Sequence, residues 1–128
     1  MSEMNSKSNR IVWCDIPVAQ LERASTFYRA VLGIQVERVD ANGMLFAIFE
    51  HAEGNGVCLV PHVDYRGSQH GPLVYLNADQ RIRAAVEAAR KTGGAVVEEI
   101  HPIGPHGFRA IIDDSEGNRV ALHSTVDA

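Results

Sequence analysis

Apolar residues recur along this chain in two rhythms, and the same succession of rhythms comes round twice. Ile11 to Pro17 is rich in β-formers and reads as a strand that Pro17 brings to its end. From about Ala19 to Leu32 the apolar set Leu21, Ala24, Phe27, Tyr28, Val31 and Leu32 falls at three- and four-residue steps. Glu22, Arg23, Thr26 and Arg29 take the wet side, which is the stripe of a helix packed on a sheet. Ile34 to Val39 and Met44 to Glu50 read as strands joined through Asp40-Ala41-Asn42-Gly43, whose Asn-Gly pair signals a tight hairpin. Glu53-Gly54-Asn55-Gly56 then turns the chain into a strand over Val57 to Pro61.

The second half repeats this order. Leu73 to Ala78 is a strand, and Gln80 to Thr92 is a helix with Ile82, Ala85, Val86 and Ala89 inward. Strands follow over Ala95 to His101, Phe108 to Ile112 and Arg119 to Ser124. Shifted by 61 residues, Trp13 to Pro61 lies over Val74 to Leu122, with Leu21 on Ile82, Ala24 on Ala85 and Gly33 on Gly94. Each of these glycines is expected to close its helix in the left-handed conformation. Few residues are identical between the halves, so the repeat lies in periodicity and punctuation. It predicts an α+β chain of two tandem βαβββ modules, residues 10–61 and 72–124. A polar tail covers 1–9, and a Gly-containing connector covers 62–71.

A length of 128 residues with 45% hydrophobic content suits one compact domain built from two halves that share a core. The net charge of −4 supplies no field for phosphate, which argues against nucleic acid or an anionic membrane surface as partner. No apolar run reaches the roughly 18 residues of a membrane span, and Met1 to Asn9 lacks the apolar stretch of a signal peptide. Cys14 and Cys58 sit inside apolar strands without partners at metal-ligand spacing, and they read as buried free thiols of a reducing cytoplasm.

Two segments carry a family resemblance. Ile16-Pro17-Val18 leads into the helix from Leu21 to Gly33, which contains Phe27-Tyr28 and Val31-Leu32-Gly33. Asp113-Asp114-Ser115-Glu116-Gly117-Asn118-Arg119 leads into Val120-Ala121-Leu122. In the two halves of a duplicated chain, these resemble the vicinal oxygen chelate superfamily, the group of glyoxalase I, bleomycin-resistance proteins and extradiol dioxygenases. The resemblance covers about Ile11 to Ser124. It implies a half-open barrel of sheet curled around a cleft, a small-molecule ligand or substrate, and a homodimer.

In its enzymes the resemblance also implies a divalent metal, held by His, Gln or Glu on the first and last strands of each module. Carried over by the helix and turn anchors, those positions are Trp13, Val60, Val74 and Ala121. None offers the nitrogen or oxygen donor that a divalent ion needs, and a slip of one residue would bring in only Cys14 and Tyr75. No metal and no other cofactor is therefore expected. The cleft remains, with Trp13 and Asp15 on one strand face and Ala121 and His123 on another. His106, in a loop shaped by Gly104, Pro105 and Gly107, is a candidate lid with Phe108 or Arg109. Tyr75 and Asn77, opposite Val74, are expected to meet the helix layer or the other half. His51, His62, His70 and His101 read as solvated, and Asp113 and Asp114 as turn residues serving their own backbone.

Two function classes follow. One is a metal-free binding protein that holds a small organic molecule beside Trp13. The other is an enzyme of lyase, isomerase or dioxygenase type, which would use His123 or His106 with Asp15 as acid and base, or a metal on other ligands.

Overall fold

The computed structural model describes residues 7, 8, 10–52, 54–62 and 64–128, so most of the tail expected over 1–9 lies outside the described residues. The elements run β1 (Trp13–Val18), α1 (Leu21–Leu32), β2 (Val36–Ala41), β3 (Met44–Phe49) and β4 (Gly56–Pro61). They then repeat as β5 (Val74–Asn77), α2 (Ile82–Lys91), β6 (Ala95–Pro102), β7 (Phe108–Asp113) and β8 (Arg119–Ser124). Each βαβββ set forms its own four-stranded sheet, in the orders β1-β4-β3-β2 and β5-β8-β7-β6. In each, the first strand lies parallel to the last and the other neighbours are antiparallel. The β2–β3 hairpin turns at the expected Asn-Gly pair: Asn42 and Gly43 both take positive φ, 54° and 74°, as a two-residue hairpin turn requires.

One core serves both sheets. Ile16, Val18, Ala47, Phe49 and Leu59 of the first sheet, and Leu76, Ala110, Ile112, Val120 and Leu122 of the second, join the inward stripes of α1 and α2 in a single buried cluster. The helices pack on each other and on one face of their own sheets. The opposite sheet faces are left without a helical cover, and there a ligand could lie.

Two details differ from the sequence reading. Pro17 does not end β1: the strand runs on to Val18, because β1 is an edge strand, where a missing N–H is tolerated. Gly33 closes α1 with φ 66°, but its counterpart in left-handed geometry is Gly93, at φ 97°. Gly94 serves close packing instead, since a Cβ there would lie 2.6 Å from Phe27 Cε1 and 2.7 Å from the Asp113 carbonyl oxygen. The start of α1 has no cap from its own N-cap side chain, Gln20. Glu116, nearly a hundred residues on, accepts from the backbone N–H groups of Ala19 and Gln20 at 3.0 Å each, and its carboxylate also holds Arg23 at 2.6 and 2.9 Å. A carboxylate at a helix N-terminus satisfies unpaired N–H groups and complements the helix dipole.

Candidate functional site

Strand alternation on the first sheet puts Trp13, Asp15 and Pro17 of β1 beside Gly56, Cys58 and Val60 of β4 on the uncovered face. A pocket of about 340 Å³ opens there, lined by Asp15, Met44, Phe46, Cys58 and Val60 among others. Its polar wall is a short chain of hydrogen bonds. The Trp13 indole N–H reaches Cys58 Sγ at 3.5 Å, and the Cys58 thiol donates to Asp15 Oδ1 at 3.0 Å. Trp13 stands behind this wall, edge-on to His51 with ring centroids 5.3 Å apart, and its ring fills the space over Gly56. Burial, with the hydrogen bond to Asp15 next, pushes the Cys58 thiol up from an ordinary 9.0 to about 11. Cys14, across the strand on the core side, is raised by burial and then by the Asp15 charge. Both cysteines are free thiols, Cys58 buried and Cys14 half-buried.

The second sheet corrects the helix-layer part of the expectation for β5, while Tyr75 and Asn77 do border a cavity with Phe49, His51 and Val57 of the other half. Val74 and Leu76 turn to the core, whereas Tyr75 and Asn77 face the uncovered side, paired with Ala121 and His123. The reason is an odd residue. From Leu76 to Ile82 is one residue longer than from Ile16 to Leu21, and Gln80 absorbs the extra length at φ 61°. An overlay anchored on the helices therefore inverts the strand's faces. Ala121 is fully buried between Tyr75 and Ile111, and Phe108 sits half-buried between Ser124 and Pro102. His106 ends a single 3₁₀ turn, Gly104–His106, and its carbonyl accepts from His123 Nε2 at 2.7 Å.

The six residues singled out from the sequence thus fall into two groups, Trp13 with Asp15 on one sheet, and Phe108, Ala121 and His123 on the other with His106 in the turn before β7. Among the described residues no hydrogen bond or ion pair joins Asp15 to His123. Sequence reasoning passed over Cys58, Met44 and Phe46, although alternation from the core residues Ala47 and Leu59 places all three on the uncovered face. It also passed over His101, which meets Arg109 across β6 and β7 at 3.2 Å. Trp13, Val60 and Ala121 do face away from the helices, but their side chains cannot ligate a cation. Among the described residues no group of three His, Cys, Asp or Glu side chains could hold one.

Two βαβββ sheets, each with its first strand parallel to its last, whose helices pack on each other over one core, define a class of protein, and comparison places the chain within it. The chain belongs to the Glyoxalase/Bleomycin resistance protein/Dioxygenase superfamily, whose model matches residues 10–122. Among solved structures it is similar to a glyoxalase/bleomycin resistance protein from Albidiferax ferrireducens, with TM-score 0.72 and 18% identity over 91% of this chain and 98% of that one. It is similar to glyoxalase I from Zea mays at TM-score 0.68 and 19% identity, over 90% of this chain and 46% of that one. It is also similar to the fosfomycin resistance protein FosX from Mesorhizobium loti, at TM-score 0.64 and 14% identity over 87% of each chain. At such identities these likenesses speak for the fold. No curated protein matches the chain. None of its described helices is long and apolar enough to cross a membrane.

Proposed function

We propose that this chain is a binding protein of the superfamily, working in the cytoplasm as a homodimer without a glyoxalase-type metal centre. Its ligand would be a small organic molecule with a flat apolar body and a hydrogen-bond donor. The observation that carries this reading is the pocket of the first sheet: Met44, Phe46 and Val60 offer an apolar bed, and Asp15 is its charged acceptor. The donor chemistry points the same way, because Trp13, Val60, Val74 and Ala121 have no nitrogen or oxygen with which to ligate a divalent ion. Two hydrogen bonds weigh against the acid–base alternative. Asp15 is engaged by the Cys58 thiol, and His123 Nε2 by the His106 carbonyl.

Trp13 is the only tryptophan of the chain, so its fluorescence reports on this face without labelling. Titration with flat aromatic amines should change Trp13 emission saturably, and Asp15→Asn should weaken them about tenfold, as loss of a charged hydrogen-bond acceptor does. A panel of aromatic compounds that leaves both Trp13 emission and thermal stability unmoved would overturn the reading. Nickel, zinc, manganese and iron should leave the melting temperature in place. A metal at a hundredfold excess over its dissociation constant would instead add about 2.7 kcal/mol of stability, and that result would restore the enzymatic alternative.

A further inference from the structure

The uncovered face of the second sheet carries a side-chain cluster that the pocket of the first sheet does not use. Arg109 on β7 lies between Tyr75 of β5 and His101 of β6. Its Nη1 donates to the Tyr75 hydroxyl at 2.7 Å, while Nε and Nη2 both reach His101 Nε2, at 3.3 and 3.2 Å. His101 can accept there because its Nδ1 lies 2.8 Å from the Glu99 carbonyl. A carbonyl only accepts, so Nδ1 carries the hydrogen and Nε2 the lone pair.

A guanidinium has five N–H groups. Three of Arg109's are directed at Tyr75 and His101, which leaves one on each terminal nitrogen to donate to the oxygens of a carboxylate. Tyr75, accepting from Arg109, keeps its own proton to donate outward, and the residue is 47% exposed.

A carboxylate of the chain itself already lies beside Arg109, on the Nη2 side that also faces His101. Glu98 Oε1 is 3.9 Å from Arg109 Nη2 and 3.6 Å from His101 Nε2, near enough to offset the charge but beyond hydrogen-bonding distance. The pairing of β6 with β7 shifts register on both sides of Glu98, and such bulges re-aim side chains out of the ladder. Its side chain is half exposed and free to swing into solvent.

We propose that Arg109 and Tyr75 form a binding site for a small-molecule carboxylate, for which Glu98 stands in when the site is empty. The net charge of −4 gives the chain no general attraction for anions, so anion binding here would come from Arg109 itself. The site is separate from the pocket beside Asp15, and either can fail without the other.

The experiment uses the full chain labelled at arginine and histidine, with benzoate as probe and benzamide as its neutral match. Benzoate should shift the Arg109 Nε–H and His101 ring resonances saturably, and benzamide should not. Arg109→Gln should weaken benzoate at least about tenfold, with Arg109→Lys in between because it keeps the charge and loses the planar set of donors. Glu98→Gln should tighten benzoate about threefold or more, since it removes a competing exposed charge. That gain cannot be mimicked by a folding defect. Equal binding of benzamide would overturn the proposal, as would an unchanged or weaker benzoate affinity in Glu98→Gln. So would the lack of a saturable shift up to about 50 mM, where even a weak site would fill.

Discussion

The phenol of Tyr28, in the first module, donates a 2.5 Å hydrogen bond to Asp114 Oδ2, 86 residues further on in the turn between β7 and β8. Both residues are buried. Asp114 Oδ1 also accepts from the backbone N–H groups of Glu116 and Asn118, at 2.8 Å each, so this carboxylate ties the shape of its own turn to the first helix. Tyr28→Phe is expected to cost about 1–3 kcal/mol, the cost of a buried acceptor left without its donor. Asp114→Asn should cost a similar amount, because an amide NH₂ would face groups that themselves donate. The pair should be non-additive in a double-mutant cycle read by urea denaturation; strict additivity would show that the bond contributes nothing.

Glu116 and Asp114 should pull the acid stability profile in opposite directions. Burial alone pushes Glu116 up, but Arg23, the Gln20 N–H and the Ser115 hydroxyl outweigh it and hold the carboxyl below its ordinary 4.5. A lowered folded value gives stability that is present above the ordinary value and lost as pH falls through the folded one. Burial raises Asp114 despite its hydrogen bonds, so its contribution is full below the ordinary carboxylate range and declines as pH rises through its folded value. Urea midpoints should fall below about pH 4.5, and Glu116→Gln should flatten that fall. Glu116→Ala, which also uncaps α1, should lose about 2–3 kcal/mol near neutrality. An acid limb equally steep in Glu116→Gln would refute the assignment.

Cys58 should be a slow thiol. At about 11 against an ordinary 9.0, it holds about a hundredfold less thiolate near pH 8 than an unperturbed cysteine, and thiolate is what reacts. A disulfide reagent should label it far more slowly in the folded protein than in denaturant. Asp15→Asn should speed labelling, since the hydrogen bond to Asp15 is one cause of the rise. A raised folded value also means that stability is full below about pH 9 and falls as pH climbs through 11. Rapid labelling of the folded chain at pH 8 would contradict the buried, hydrogen-bonded thiol.

Gly94→Ala should destabilise the fold by about 1–3 kcal/mol through crowding, because the new methyl would meet Phe27 and the Asp113 carbonyl. Gly93 faces open space by comparison, since an added methyl would stand 3.7 Å from Ser115 Cβ, and there the cost comes from its φ of 97°. Gly93→Asn, a residue that tolerates left-handed backbone, should therefore be milder than Gly93→Ala. Urea melts of the three variants decide it: a neutral Gly94→Ala would remove the packing argument.

The sequence by itself determined the order of elements and the duplication. Helix stripes such as Leu21 to Leu32 and turn residues such as Asn42-Gly43 act over a few positions, where periodicity and backbone sterics are decided locally. It could also name Trp13, Asp15 and His123 as residues of uncovered strand faces, because alternation along a strand is local too. Tertiary structure alone decided which way β5 faces, since it settles that the extra residue before α2 is absorbed at Gln80, in a left-handed turn, and not within the strand. It alone decided that Glu116 caps a helix in the other module, that Cys58 donates to Asp15, and that Arg109 on β7 meets Tyr75 of β5 and His101 of β6. Those partners are set by sheet register and module packing, and contacts between residues far apart in the chain leave no local trace in it.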